Sequence, residues 1–97
     1  MREPLSATAV AARIESLGVW KAEGNRTLTR HYTFSSHIEA IGFVVRVAMV
    51  AEVLDHHPDL RVVYNRVELV LSTHDAGGVT ARDFELAARI NELAAQA

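Results

Sequence analysis

Ser36, followed three residues later by Glu39, carries the signature of a capping box, and Pro58 marks a point past which no helix can run. Between them, residues to about Asp55 repeat apolar side chains at helical spacing, which predicts one long central helix. Ile38, Ile41, Val45, Ala48 and Met49 are expected to form its inward stripe. Val44, Val47 and Val50 leave it apolar over much of its remaining circumference, so it is expected to touch more than its own sheet. Pro58 also restricts His57 to extended geometry.

Strand patterns flank this helix on both sides. Residues 6–17 read as a first helix capped by Ser6, with Val10, Ile14 and Leu17 on one face and Gly18 ending it. A short strand over Val19, Trp20 and Lys21, a turn at residues 23–26 and a returning strand over 27–34 follow. Alternation places Leu28, Tyr32 and Phe34 on the core side, with Thr27, Thr29, His31 and Thr33 facing water. Residues 60–75 read as a second hairpin turning at Asn65 and Arg66, which would set Val67, Leu69 and Leu71 opposite Tyr64, Val62 and Leu60 on one buried face. That register brings His74 beside His57 and Ser72 beside Asp59. Residues 75–78 read as a flexible loop, and Thr80 with Asp83 caps a last helix whose Leu86, Ala87, Ile90 and Leu93 point inward, flanked by Phe84. The order α-β-β-α-β-β-α argues for an α+β fold of two layers, a four-stranded antiparallel sheet with helices packed on one face.

A chain of 97 residues suits a single domain spanning 1–97, and its core is small enough that self-association is expected, as a dimer or tetramer. The outer valines Val44, Val47 and Val50 are the expected interface. A net charge of −2 with no basic stripe disfavours direct nucleic-acid binding. The absence of cysteine excludes disulfides, thiolate metal sites and a cysteine nucleophile. The longest apolar run, residues 41–51, is broken by Arg46, and no signal-like stretch opens the chain, so no membrane association and a cytoplasmic location are expected.

Three of the five histidines, His56, His57 and His74, converge in this reading. An imidazole both gives and takes protons near neutrality, so such a cluster suits acid–base chemistry, where an isolated pair after a helix is more often a solvated helix end. His31, among threonines, and His37, at a helix start, are read as surface fillers, and Asp83 as a helix-terminal charge. Three histidines can also hold zinc, but adjacent ligands without an i, i+4 pair make that spacing unusual, so no metal is expected.

Glu52, Asp55, His56, His57 and Pro58, then Tyr64, Ser72, Thr73, His74 and Asp83 at these spacings, resemble the signature of pterin-4a-carbinolamine dehydratases. Gly18, Trp20, Gly42, Phe43, Arg46 and Arg82 are also similar to that family. The resemblance implies conversion of a 4a-hydroxytetrahydropterin to quinonoid dihydropterin and water, in tetrahydrobiopterin or related pterin recycling, with no metal or organic cofactor. It implies His56, His57 and His74 as catalytic residues and Glu52, Asp55, Ser72, Thr73 and Asp75 as substrate contacts. Either His56 or His74 would be the acid and the other the base, with His57 orienting the pterin. Leu60 and Arg61 stand where the family usually has an aromatic residue, which bears on substrate preference. Some relatives act as dimerisation partners of a transcription factor, so a non-catalytic interaction or coactivator module is the rival expectation.

Overall fold

In the computed structural model, which describes residues 3–96, Ser6 opens α1 (Ala7–Ile14) by accepting the Ala9 amide at 3.1 Å. A single 3₁₀ turn, Glu15–Leu17, extends the helix to Gly18, whose positive φ of 73° ends it at no steric cost. The next residues depart from the expected strand. Trp20 turns inward, 3 % exposed, and its indole N–H donates to Asn91 at 2.7 Å, so β1 starts only at Lys21 (Lys21–Glu23). It pairs with β2 (Thr27–Thr33).

Ser36 caps α2 (His37–Leu54) by accepting the Glu39 amide, while the Glu39 carboxylate turns to the Ser35 hydroxyl, so only half of the capping box forms. The second hairpin is β3 (Asp59–Val63) and β4 (Arg66–Leu71), and α3 (Ala81–Gln96) closes the order α-β-β-α-β-β-α. The sheet runs β1-β2-β4-β3, antiparallel throughout, because β4 of the second hairpin pairs with β2 of the first. Leu28, Val67, Leu69 and Leu71 point from its inner face into a core completed by Phe43 and Val47 of α2, Leu86 and Ile90 of α3, and Val10 of α1. No helix among the described residues is long and apolar enough to cross a membrane.

Three local expectations are corrected. The inward face of α2 is Ala40, Phe43, Val47 and Ala51, with Val44 and Val50 half-buried beside it; Ile38, Val45, Met49 and Val53 are exposed. The expected inner and outer faces are therefore exchanged: Val47 is sealed in the core, and Val44 and Val50 are half-buried against it. The second hairpin turns at Tyr64 and Asn65, not at Asn65 and Arg66, so Val62 lies opposite Val67 and Leu60 opposite Leu69. A shift of two residues preserves the faces, since side chains alternate with period two, but it moves Tyr64 off the buried face into the turn, with φ of 52°. Asn65 instead ties the turn to β2: its side chain donates to the Phe34 carbonyl, and its own carbonyl accepts the Phe34 amide, both at 2.8 Å. Finally, residues 75–78 are organised by a 3₁₀ turn, His74–Ala76, and by a bridge between Thr73 and Gly78.

Candidate active site

The last turn of α2 separates the two adjacent histidines. Asp55 takes a left-handed conformation (φ 52°, ψ 44°) at the helix C-terminus, and the His56 amide reaches back to the Ala51 carbonyl at 3.0 Å. His56 thereby turns inward. It is 8 % exposed, and its Nε2 donates to Asp83 Oδ1 at 2.6 Å. His57 turns outward, and its Nε2 donates to Glu52 Oε1 at 2.5 Å, with 54 % of the imidazole side chain exposed. An ionised carboxylate only accepts, so against such a partner each ring presents an Nε2 proton and keeps Nδ1 as its second nitrogen.

Asp83 has no exposed surface and gathers three parts of the chain. Besides His56, it accepts the Thr73 hydroxyl at 2.7 Å and the Thr80 amide at 2.9 Å. The last of these contacts is the reciprocal half of a capping box at the start of α3, which is why Asp83 lies at that position. Its neighbour Arg82 donates to the Asp55 carbonyl, a second tie between the two helix ends. Thr73 is 1 % exposed and also shares a hydrogen bond with Thr80 Oγ1 at 2.7 Å. Its amide donates to the Gly78 carbonyl. Every polar group of Thr73 is thus engaged within the protein, where it supports Asp83.

His74 follows Thr73 directly and begins the 3₁₀ turn, exposed, with Asp75 exposed beside it and Ser72 half-buried on the other side. The chain thus draws the His56 and Thr73–His74 segments onto one carboxylate. The expected pairing of His74 with His57 is not kept: Asp59 lies opposite Val70, and extension of that ladder carries Ser72, not His74, towards His57. Glu52 is committed to His57. Leu60 packs at the core edge, whereas Arg61 lies exposed on the outer sheet face, 3.5 Å from Glu68. Among the described residues, no three His, Asp or Glu side chains are grouped as a metal ion would need.

Asp83 is the residue that sequence reasoning underrated. Its spacing from Thr80 signals a helix cap, and a cap is normally exposed; the burial depends on His56, which lies 27 residues away.

Comparison with known proteins identifies the family. Residues 3–93 match the family model described as pterin 4 alpha carbinolamine dehydratase. A protein of Afipia carboxidovorans, named provisionally a pterin-4-alpha-carbinolamine dehydratase, is 55 % identical over 86 residues, covering 89 % of this chain and 86 % of its own. The crystal structure of a transcriptional coactivator/pterin dehydratase from Brucella melitensis superposes with a TM-score of 0.87 at 34 % identity, covering 94 % of this chain and 98 % of that one. A pterin dehydratase-like protein described as a RuBisCO assembly factor in the alpha-carboxysome shares the fold, with a TM-score of 0.66 at 22 % identity over 77 % of this chain and 88 % of its own. The chain belongs to the pterin-4a-carbinolamine dehydratase family.

Proposed function

We propose that this chain is a hydro-lyase, a single cytoplasmic domain that converts a 4a-hydroxytetrahydropterin to quinonoid dihydropterin and water without metal or organic cofactor. The observation that carries this reading is the division of labour between two carboxylate-backed histidines, His56 on buried Asp83 and His57 on exposed Glu52. Dehydration needs one proton delivered to the 4a oxygen and one removed from a ring nitrogen; the C–O bond breaks as the nitrogen lone pair forms the new double bond, with no change of oxidation state. Both transfers need imidazoles that substrate can reach. Exposure favours His57 and His74 as the acid–base pair. His56, first expected to transfer a proton, then anchors the helix end. Ser72, Asp55 and Asp75 border the same region and supply polar contacts for the pterin edge.

Stopped-flow absorbance of freshly generated 4a-hydroxytetrahydropterin, compared with its spontaneous dehydration, tests the reading. The native chain should accelerate the reaction, and His57→Ala combined with His74→Ala should lose about 10²- to 10⁴-fold of the enhancement. No acceleration by folded protein, or full activity in the double variant, would overturn it.

A homo-oligomeric state is part of the same proposal. Ile38, Ile41, Val45, Met49 and Val53 form an uncharged, exposed stripe at three- and four-residue spacing along α2, the pattern by which one helix packs on another. This stripe replaces the outer valines as the proposed interface. It also favours, as a second reading, a module whose role is assembly.

A further inference from the structure

His56 and His57 are each held by a carboxylate through Nε2, but among the described residues the His74 ring makes no hydrogen bond. Where that imidazole lies is therefore set by the backbone that carries it. The carrier is a short loop closed at its base. The Thr73 carbonyl accepts the Ala76 and Gly77 amides at 3.0 Å and the Gly78 amide at 3.3 Å, and the Thr73 amide returns to the Gly78 carbonyl at 2.9 Å. Residues 74–77 thus form one unit, whose position depends on what holds Thr73 and Gly78. Thr73 is held by Asp83 and Thr80.

Gly78 is held by a different part of the chain. The next residue, Val79, is fully buried, and both of its backbone groups are bonded: its amide donates to the Asn25 carbonyl and its carbonyl accepts the Leu5 amide, each at 2.8 Å. Asn25 closes the ring, since its side-chain Nδ2 donates to the Leu5 carbonyl, also at 2.8 Å. Neither outer member is loose. Leu5 packs its side chain on the core, and the turn between β1 and β2 is closed by the Arg26 amide on the Glu23 carbonyl at 3.0 Å. Gly78 lies so close to this brace that a methyl group there would meet the Asn25 carbonyl oxygen at 2.6 Å and Pro4 at 3.0 Å. Contact this tight transmits a displacement rather than absorbing it.

We infer that Asn25 is a positioning residue for His74, locking residues 4–5 to the base of the loop that presents this imidazole. The inference rests on the reading of His74 as one of the acid–base pair. The residue type follows from the contacts. The backbone carbonyl of residue 25 holds Val79 whatever the side chain, but the bond to the Leu5 carbonyl needs a side-chain donor of this reach, and an Asp of the same shape would set acceptor against acceptor. Without that bond residues 4–5 can part from the turn, and Gly78 and Val79 lose one wall of their seat. Proton transfer is steep in geometry: a misplacement of about 1 Å can cost on the order of 10²-fold in rate.

Stopped-flow dehydration of 4a-hydroxytetrahydropterin by the native chain, Asn25→Ala, His74→Ala and the double variant tests it. Asn25→Ala keeps every backbone bond of the turn, so its circular dichroism should match that of the native chain. Its kcat should fall about tenfold with KM within about twofold, and Asn25→Asp, of native size, should show the same pattern. In the His74→Ala background, Asn25→Ala should change kcat by less than about twofold, because the group it positions is gone. An unchanged kcat in Asn25→Ala, or an equal fall with and without His74, would overturn the inference. Amide hydrogen exchange separates it from the functional reading. The Ala76 and Gly77 amides should exchange about tenfold faster in Asn25→Ala than in the native chain. A native chain that does not accelerate dehydration would overturn the proposed function, and the exchange rates would then decide the brace alone: faster exchange supports it, and equal rates overturn it.

Discussion

Replacing Asp83 by alanine removes the acceptor on which three segments converge, and the loss can be sized from its contacts. His56 Nε2 and the Thr80 amide lose their partner in a largely buried region, while the Thr73 hydroxyl keeps Thr80 Oγ1. Leaving two buried donors without their acceptor costs about 1–3 kcal/mol each, together about 3–5 kcal/mol, against a total of about 5–15 kcal/mol for a domain. With a urea slope of about 1.2 kcal/mol per molar, the unfolding midpoint should fall by roughly 2.5–4 M. Asp83→Asn should cost less, about 1–3 kcal/mol, because its shape fits, but its amide presents a donor either to His56 or to the Thr73 and Thr80 donors. Thr73→Val removes a single donor and should cost about 1–2 kcal/mol, and the pair Asp83→Asn with Thr73→Val should show a coupling of about 0.5 kcal/mol or more. Equilibrium urea unfolding followed by circular dichroism measures all four. An Asp83→Ala variant within about 1 kcal/mol of the native chain would falsify the view that this carboxylate holds the two histidine segments together.

Other perturbations follow from single contacts. A methyl group at Gly78 would lie 2.6 Å from the Asn25 carbonyl oxygen and 3.0 Å from Pro4, so Gly78→Ala should cost about 1–3 kcal/mol and lower the thermal midpoint by several degrees. Burial raises the Tyr32 phenol above its usual 10, with Arg30 opposing; the unfolded chain therefore ionises first, and stability present below pH 10 is lost as pH rises through the folded value. Tyr32→Phe should remove that part of the alkaline loss in denaturation curves taken between pH 8.5 and 11. Val45→Glu on the exposed stripe of α2 should change monomer stability by no more than about 0.5 kcal/mol yet lower the assembly mass by light scattering; an unchanged mass would remove that stripe as an interface.

Much of the architecture is legible in local signals. Ser6, Ser36 and the Thr80–Asp83 pair each mark a helix start because capping is decided within one turn. The faces of the second hairpin are also readable, even with a displaced turn, since a shift of two residues returns every side chain to its own side. The turn itself is not, because Asn65, the residue best suited to a positive φ, is engaged in holding Phe34, and Tyr64 takes the strained conformation instead. The inward face of α2 escapes for a different reason. With apolar side chains nearly all round, the helix has no polar face to identify its opposite, and only the packed sheet selects Phe43 and Val47 over Val45 and Met49. At the candidate site, the histidines are visible as titratable groups and the signature spacing is visible as a resemblance. Which histidine is buried is not, because that depends on the left-handed turn at Asp55 and on a carboxylate from another helix.

Trp20 is the chain's one tryptophan, and its departure from the sheet has a practical consequence. Its indole N–H is held by Asn91, 71 residues further along, near the end of α3. The intrinsic fluorescence of this chain therefore comes from a single fluorophore seated where the first strand meets the last helix. Any event that undocks α3 from the start of the sheet will shift or quench that emission, so one optical channel follows the joining of the two ends of the fold while the histidines, at the other end of α3, are followed by chemistry.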